Sequence, residues 1–185
     1  MNDYKLDRNT EYIIHLADIH IRNEDGSLNS RKDEYEEVFK NLIIDIKNNN
    51  KTKKNNTIIF MAGDIFHHAR QEKGRTTATA VVLFKNLLSK LSKLGIVVII
   101  PGNHDNNITY QSKEDNTITD TLTGVLDGMK EIDSSIFYLK DTGMYKLGNV
   151  IFYHTSVFDI DCLSEPTMDK YNQRKSFLQK KDFKQ

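Results

Sequence analysis

Six side chains with oxygen or imidazole donors lie shortly after apolar runs of the sequence: Asp18, His20, Asp64, Asn103, His104 and His154. Carboxylate, amide and imidazole donors without a thiolate suit a divalent metal such as manganese, iron or zinc. One Asp-x-His sequence is a weak signal, because polar residues also cap ordinary loops. Similar donors after four apolar runs favour one metal site that the runs share.

A second metal is compatible with this donor set, because a carboxylate such as Asp64 can bridge two ions about 3.5 to 4 Å apart. Such a pair generates hydroxide from bound water and offsets charge on phosphoryl oxygens during in-line displacement. His104, next to the donor Asn103, is predicted to donate a proton to a phosphoryl oxygen or to the leaving group. The donor set therefore predicts hydrolysis of a phosphate ester.

Alternating strand and helix patterns separate these donors. Apolar runs typical of buried strands cover residues 12–17, 57–62 and 96–100, and helical periodicity covers 35–46 and 80–94. This order predicts a βαβαβ unit with parallel strands and right-handed crossovers. Ligands bind beyond the carboxyl ends of such strands, so the sheet is expected to bring the donors to one edge.

The second half of the chain predicts a mixed arrangement. Short strands are expected at residues 136–139, 144–147 and 150–153, the last two joined as a hairpin. We expect residues 1–160 to form one catalytic domain and the lysine-rich residues 161–185 to form a polar tail.

Composition limits the partners and the compartment. The chain of 185 residues has 26 Lys and Arg and 26 Asp and Glu, so no net charge attracts nucleic acid or anionic membrane at long range. Phosphate binding must therefore be local. The apolar runs are too short to span a membrane. The polar residues 1–5 lack the apolar core of a signal peptide. The single cysteine, Cys162, excludes an intramolecular disulfide. We expect a soluble intracellular protein without membrane attachment, located in cytoplasm, nucleus or a viral DNA-processing compartment.

The order and spacing of the donor motifs resemble those of the calcineurin-like metallophosphoesterases, on the sequences Asp18-Ile19-His20, Gly63-Asp64, Gly102-Asn103-His104-Asp105 and His154. The resemblance covers roughly residues 11–158 and implies a layered, four-layer α/β/α sandwich. It implies two bound divalent ions, for which manganese is the preferred metal and iron or zinc are alternatives.

The roles that this resemblance implies fall on single residues of the motifs. Asp18 and His20 would bind one metal, and Asn103 and His154 would bind the other, with Asp64 bridging the two. His104 would stabilise the phosphate transition state. Asp105 would lie behind these ligands and support them.

A narrower resemblance rests on two segments, residues 15–20 and Gly63-Asp64-Ile65-Phe66-His67. These segments are similar to the SbcD-type nuclease subunits of DNA double-strand-break repair complexes. The similarity implies that His67 contacts the scissile phosphate during exonucleolytic or endonucleolytic cleavage of DNA. It also implies a homodimer and an SbcC-type ATPase partner. His15 lies within a predicted strand and is interpreted as structural.

The protein phosphatases of the same superfamily fit less well. They typically carry Asp-Arg-Gly after the second motif, where this chain has His67-His68-Ala69, and glutamate in the third motif, where it has Asp105. Zero net charge nevertheless favours a different phosphoesterase as an alternative to a nuclease. The cations Arg22, Lys73 and Arg75 follow the donor motifs and are interpreted either as local phosphate contacts or as solvated surface charges.

The main departure from the family concerns a Gly-His-x-His motif whose histidines complete the metal ligands. This sequence has no histidine after His154. Three interpretations follow: a truncated or split form, which we favour, open ligand positions filled by water, or an inactive binding module. The expected activity is accordingly a nuclease, with another phosphoesterase or an inactive module as alternatives.

Overall fold

The computed structural model describes residues 2–4, 9–22, 31–49, 53–67, 76–105, 108–111, 118–130 and 133–158. The predictions that concern Lys73, Arg75, the domain boundary near residue 160 and the polar tail lie outside these residues. Among the described residues, no helix combines the length and the apolar character that crossing a bilayer requires.

Strands and helices alternate through the first half of the chain. In chain order the elements are β1 (Asn2–Tyr4), β2 (Tyr12–Leu16), α1 (Lys32–Asn48), β3 (Thr57–Ala62), α2 (Ala78–Leu91), β4 (Ile96–Ile100), β5 (Ile108–Gln111), β6 (Ile118–Asp120), α3 (Thr121–Lys130), β7 (Ile136–Tyr138), β8 (Gly143–Leu147) and β9 (Val150–His154). The predicted βαβαβ start is confirmed.

The central sheet has the order β2-β3-β4-β7, and all of its strand pairs are parallel. Leu16 pairs with Met61 near the ends of β2 and β3, and Ala62 pairs with Ile100 at the ends of β3 and β4. Because these strands end at matching levels, the segments that follow them emerge together at one edge of the sheet.

One face of the central sheet packs against the helices. Helix α1 buries Tyr35, Phe39, Ile43 and Ile46, which recur at three- and four-residue spacing and so form one stripe. Helix α2 begins after Thr77, whose hydroxyl accepts a hydrogen bond from the amide of Ala80 at 3.2 Å. The buried residues of α1, α2 and α3 all belong to the larger hydrophobic core cluster, on the helix side of the sheet.

The opposite face packs against a second sheet of order β1-β8-β9, in which β8 and β9 are antiparallel. Tyr145 and Leu147 from β8 meet Ile58, Ile96 and Val98 of the central sheet in a smaller core. A third, two-stranded sheet pairs β5 with β6. The described residues thus form an α/β fold with layers of helices, parallel sheet and mixed sheet, and the predicted mixed second half is confirmed.

Candidate active site

The segments after β2 and β3 run side by side and continue the parallel pairing of these strands. The amide of His20 donates to the carbonyl oxygen of Asp64, and the amide of Ile21 donates to that of Ile65, both at 2.8 Å. The amide of His67 then donates to the carbonyl oxygen of Ile21 at 3.2 Å. Backbone hydrogen bonds therefore fix His20 beside Asp64 and hold His67 close to both.

Three predicted metal ligands adopt a backbone conformation that L-residues rarely use. The φ angles are 54° at Asp18, 47° at His20 and 51° at Asp64. Among the described residues, these are the only non-glycine positions with positive φ. The left-handed conformation costs roughly 1 to 2 kcal/mol per residue, and such strain concentrates at functional sites. The fold thus places its backbone strain on the residues that the sequence selects as ligands.

Two glycines allow the segments after β3 and β4 to touch. A Cβ atom on Gly102 would lie 2.2 Å from both the backbone nitrogen and Oδ1 of Asp64. A Cβ atom on Gly63, whose φ is +78°, would lie 2.5 Å from the nitrogen of Gly102. No real side chain fits at these distances, so glycine is required for the backbone to approach the Asp64 carboxylate.

Asp18, His20 and Asp64 form a cluster of donors, which we call the carboxylate cluster. Their donor atoms all lie within 4.8 Å of one another. His20 Nε2 is 3.6 Å from Oδ1 of Asp18 and 3.9 Å from Oδ2 of Asp64. The other oxygen of Asp64, Oδ1, accepts a hydrogen bond from the amide of His104 at 2.8 Å. That bond orients Asp64 so that Oδ2 faces the histidine.

The carboxylate cluster fits a divalent cation. It offers two carboxylates and an imidazole whose atoms converge at distances longer than hydrogen bonds, in a strained backbone that holds them there. The Asp64 side chain is 14% exposed, whereas that of Asp18 is 72% exposed. A ligand can therefore enter from the Asp18 side while Asp64 stays shielded.

His20 also belongs to a second cluster with His67 and His104, which we call the imidazole cluster. The ring centroids of His20 and His104 are 4.7 Å apart in an edge-to-face arrangement. The rings of His67 and His104 stack at 5.2 Å, and Nδ1 of His67 lies 3.3 Å from Nδ1 of His20. The structure therefore brings both predicted catalytic histidines against a predicted metal ligand.

Asp105 lies behind these clusters and is only 1% exposed. Its carboxylate accepts hydrogen bonds from the amides of Ile65 and Phe66 at 3.1 Å and from that of Gly102 at 3.0 Å. Burial raises the pKa of Asp105 to about 6; the three amides oppose this shift, and the nearby Asp64 carboxylate adds to it. Asp105 thus ties the segment after β3 to the segment after β4.

The remaining predicted ligands, Asn103 and His154, differ in their placement. Asn103 is exposed in the turn between Gly102 and His104, at the edge that carries both clusters. His154 ends β9 in the second sheet and belongs to neither cluster. It is 6% exposed, and its Nε2 has no hydrogen-bond partner among the described residues. The metal-binding role of His154 stays a prediction.

Burial lowers the pKa of His154, while the Asp141 carboxylate and a hydrogen bond to the Lys140 backbone oppose that effect.

His15, interpreted from sequence as structural, points its ring toward Phe60 at a centroid distance of 5.6 Å. Neither histidine joins the imidazole cluster, which consists of residues from the segments after β2, β3 and β4.

Tyr35 was recognised in the sequence only as an apolar position of α1, yet its hydroxyl contacts the site. It donates to the carbonyl oxygen of His20 at 2.8 Å and accepts from the amide of Arg22 at 2.9 Å. The guanidinium of Arg22 in turn contacts Nε2 of His67. The helical spacing of Tyr35 predicts burial, and a buried tyrosine usually finds a hydrogen-bond partner, but sequence alone does not identify that partner.

A separate polar group lies beside the end of β7, and we call it the Asp120 group. The Asp120 side chain is fully buried and pairs with Nζ of Lys140 at 2.9 Å. It also accepts a hydrogen bond from the amide of Thr123 at 2.8 Å, which caps the start of α3. The hydroxyl of Tyr138 lies 3.4 Å from the same carboxylate. Burial raises the pKa of Tyr138.

The layered α/β fold and its donor clusters define a protein with a candidate divalent-metal site at one edge of a parallel sheet. The calcineurin-like phosphoesterase family matches residues 12–184, and this chain belongs to that family. The chain is also 32% identical over 165 residues to an uncharacterized protein of Acanthamoeba polyphaga mimivirus. That match covers 89% of this chain and 11% of the viral protein, so the chain spans about a ninth of the relative's length.

Family membership confirms the predicted superfamily. Members of this family are hydrolases that use divalent metals, and this chain has candidate ligands for such a metal. The individual roles of the site residues stay predictions.

Proposed function

We propose that this chain is a metal-dependent phosphodiesterase that cleaves the backbone of DNA in double-strand-break repair or recombination. The observation that carries the proposal is the position of His67, whose ring stacks on His104 and whose Nδ1 lies 3.3 Å from Nδ1 of His20. His67 is the residue through which the sequence resembles SbcD-type nucleases. Its place in the imidazole cluster supports a direct contact with the substrate.

Asp18, His20 and Asp64 would hold one divalent ion, and Asn103 and His154 would hold a second ion together with Asp64. Manganese is the proposed metal, with iron or zinc as alternatives. When bound, the ions supply a hydroxide from coordinated water and neutralise charge on the phosphoryl oxygens.

His104 is suited to hold a proton for the phosphoryl oxygen or for the leaving group. Its amide donates to Asp64 at 2.8 Å, so its backbone is fixed relative to the predicted bridging ligand. Its ring packs against the rings of both His20 and His67, which limits the orientations that it can adopt. His67, which stacks on His104, is suited to orient the scissile phosphate.

A phosphodiesterase that acts on a nucleotide or another small diester is the second candidate function. The zero net charge of the chain favours it, because a long polyanion gains from a wide positive surface and a small diester does not. Homodimer formation, an SbcC-type ATPase partner and an intracellular DNA-processing compartment are further proposals that rest on the SbcD resemblance.

The test is manganese-dependent cleavage of labelled single- and double-stranded DNA by the purified chain. Bis-p-nitrophenyl phosphate serves as the small diester in parallel. His104→Ala is expected to lose cleavage and keep manganese binding, and Asp64→Asn is expected to lose both, as measured by titration calorimetry. Turnover of the small diester without DNA cleavage would support the second candidate. No turnover of either substrate with manganese bound would overturn both.

A further inference from the structure

We propose that Arg22 is a substrate-binding residue of this site and that its guanidinium holds a non-bridging oxygen of the substrate's phosphate group. The inference rests on the proposed phosphodiesterase function and deepens it. It adds a phosphate-binding side chain to the metal donors and to the histidines, and it gives a chain without net charge a local cation for an anionic substrate.

The backbone of Arg22 is fixed from two sides. The preceding residue, Ile21, is 2% exposed and forms a parallel bridge with Phe66. The amide of Arg22 itself donates to the hydroxyl of Tyr35 at 2.9 Å, and that hydroxyl donates to the carbonyl oxygen of His20. The exposed side chain of Arg22 therefore extends from a backbone that is hydrogen-bonded, through the Tyr35 hydroxyl, to the predicted metal ligand His20.

The side chain of Arg22 reaches the imidazole cluster. Its Nη2 contacts Nε2 of His67, while the other ring nitrogen of His67 faces His20 at 3.3 Å. A guanidinium can only donate hydrogen bonds, so Nε2 of His67 is the acceptor in this contact. The positive charge thus lies one side chain away from His20 and His104, at the edge where a phosphate would meet the donors.

The partner of Arg22 is a weak one for a guanidinium. Within the described parts of the chain Arg22 forms no ion pair with a carboxylate, whereas Arg31 pairs with Glu34 through Nε at 2.7 Å. An anionic phosphoryl oxygen is a stronger acceptor than an imidazole nitrogen, and a phosphodiester presents two such oxygens to the guanidinium fork. A bound phosphate would therefore replace His67 as the hydrogen-bond acceptor of the Arg22 guanidinium.

The test measures binding of inorganic phosphate to the manganese-loaded full chain by titration calorimetry. The variants are Arg22→Gln, Arg22→Lys and, as a matched control, Arg31→Gln, which removes an exposed arginine that is already paired with Glu34. Arg22→Gln is expected to raise the phosphate dissociation constant about tenfold, the effect of losing one charge-assisted hydrogen bond. Arg22→Lys should show a smaller rise, and Arg31→Gln none.

Manganese affinity, titrated separately, should be the same in all four proteins, because Arg22 is not a metal ligand. Equal phosphate affinity in Arg22→Gln and the wild type overturns the proposal, as does a wild type that binds manganese but no phosphate. Arg22-dependent phosphate binding without DNA cleavage leaves the inference standing while the proposed nuclease function fails, so the two failures are distinguishable.

A role in positioning His67 makes a different prediction for turnover of bis-p-nitrophenyl phosphate. Substrate binding by Arg22 predicts that Arg22→Gln raises KM about tenfold with kcat changed by less than about twofold. A fall in kcat at unchanged KM, which disappears in a His67→Asn background, would show that Arg22 acts only through His67 and would overturn the proposal.

Discussion

Polar side chains gather at the ends of β2, β3 and β4 and again beside the end of β7, but the two groups differ in construction. In the carboxylate cluster, His20 Nε2 stays 3.6 and 3.9 Å from its two carboxylates, and all three residues have positive φ. In the Asp120 group, a fully buried carboxylate lies 2.9 Å from an ammonium and 2.8 Å from a backbone amide.

The difference separates two uses of polar residues in one fold. The Asp120 group satisfies its charges internally and joins α3 to the segment after β7, so its interactions stabilise the folded chain. The carboxylate cluster holds like charges near one another in a strained backbone, a geometry that suits a cation from outside the chain. Substitutions in the two groups should therefore affect different measurements.

The largest expected effect is on stability, from the Asp120 group. Asp120→Ala should lower the free energy of unfolding by about 3 to 4 kcal/mol, because it leaves Lys140 without its partner and removes the cap of α3. Urea unfolding measures this loss, and manganese affinity should not change. A comparable loss of manganese binding would show that the two groups are not independent. Glu36→Ala, which breaks an exposed pair with Lys32, should leave stability unchanged.

The next effect is a dependence of stability on pH that has opposite signs at two buried groups, Asp105 behind the donor clusters and His154 at the end of β9. The folded-state pKa of Asp105, about 6, lies above its ordinary value of 3.8. The folded chain therefore holds this proton more tightly than the unfolded chain, and stability from Asp105 is present below about pH 4 and lost as pH rises through 6. The loss is about 3 kcal/mol in the metal-free protein.

His154 should behave in the opposite way, because burial lowers its pKa from 6.5 and the folded chain resists its protonation. Stability from neutral His154 is present above pH 6.5 and lost as pH falls below that value. Urea unfolding of wild type, Asp105→Asn and His154→Leu from pH 4 to 7.5 separates the two contributions. Identical pH slopes in all three proteins would contradict the prediction.

The smallest expected effect compares two tyrosine hydroxyls, one beside the donor clusters and one away from them in β8. Tyr35→Phe removes the hydroxyl between His20 and Arg22, and Tyr145→Phe removes one that donates to the carbonyl oxygen of Asp141 at 2.6 Å. Each should lower the free energy of unfolding by about 1 kcal/mol. Only Tyr35→Phe should also weaken manganese binding, by a few-fold, as measured by calorimetry. Equal manganese affinity in both variants would remove Tyr35 from the site.

Much of the fold could be predicted because its first half is local in character. The strands β2, β3 and β4 are continuous apolar runs, α1 and α2 show helical spacing, and βαβ connections have a fixed hand. Parallel strands end at one edge, so the spacing of Asp18, His20, Asp64 and His104 predicted their proximity.

Other elements gave weaker signals. Helix α3 buries Leu122, Val125, Leu126 and Met129 at helical spacing, but Gly124 and Gly128 lower the intrinsic preference of the segment for helix. Strand β1 pairs with β8, at the opposite end of the described chain, and no local pattern reports such a pairing. Neither element is predicted from the sequence.

Within the site, the sequence predicted residue types better than contacts. It grouped His154 with the other donors because each follows a strand. The structure places β9 in the second sheet, and the metal-binding role of His154 stays a prediction. The positive φ angles and the hydroxyl of Tyr35 depend on how distant segments pack, which spacing along the chain does not encode.

The contact between the segments after β3 and β4 has a consequence for mutational tolerance. Gly63 and Gly102 have no side chain that could act as a ligand, yet a methyl group on Gly102 would overlap Asp64, and one on Gly63 would overlap the backbone of Pro101 and Gly102. In a library of all single substitutions, both positions should accept glycine alone, as strictly as the ligand positions accept their own residues. Intolerance at this edge of the sheet therefore marks the surroundings of the chemistry as well as the residues that perform it.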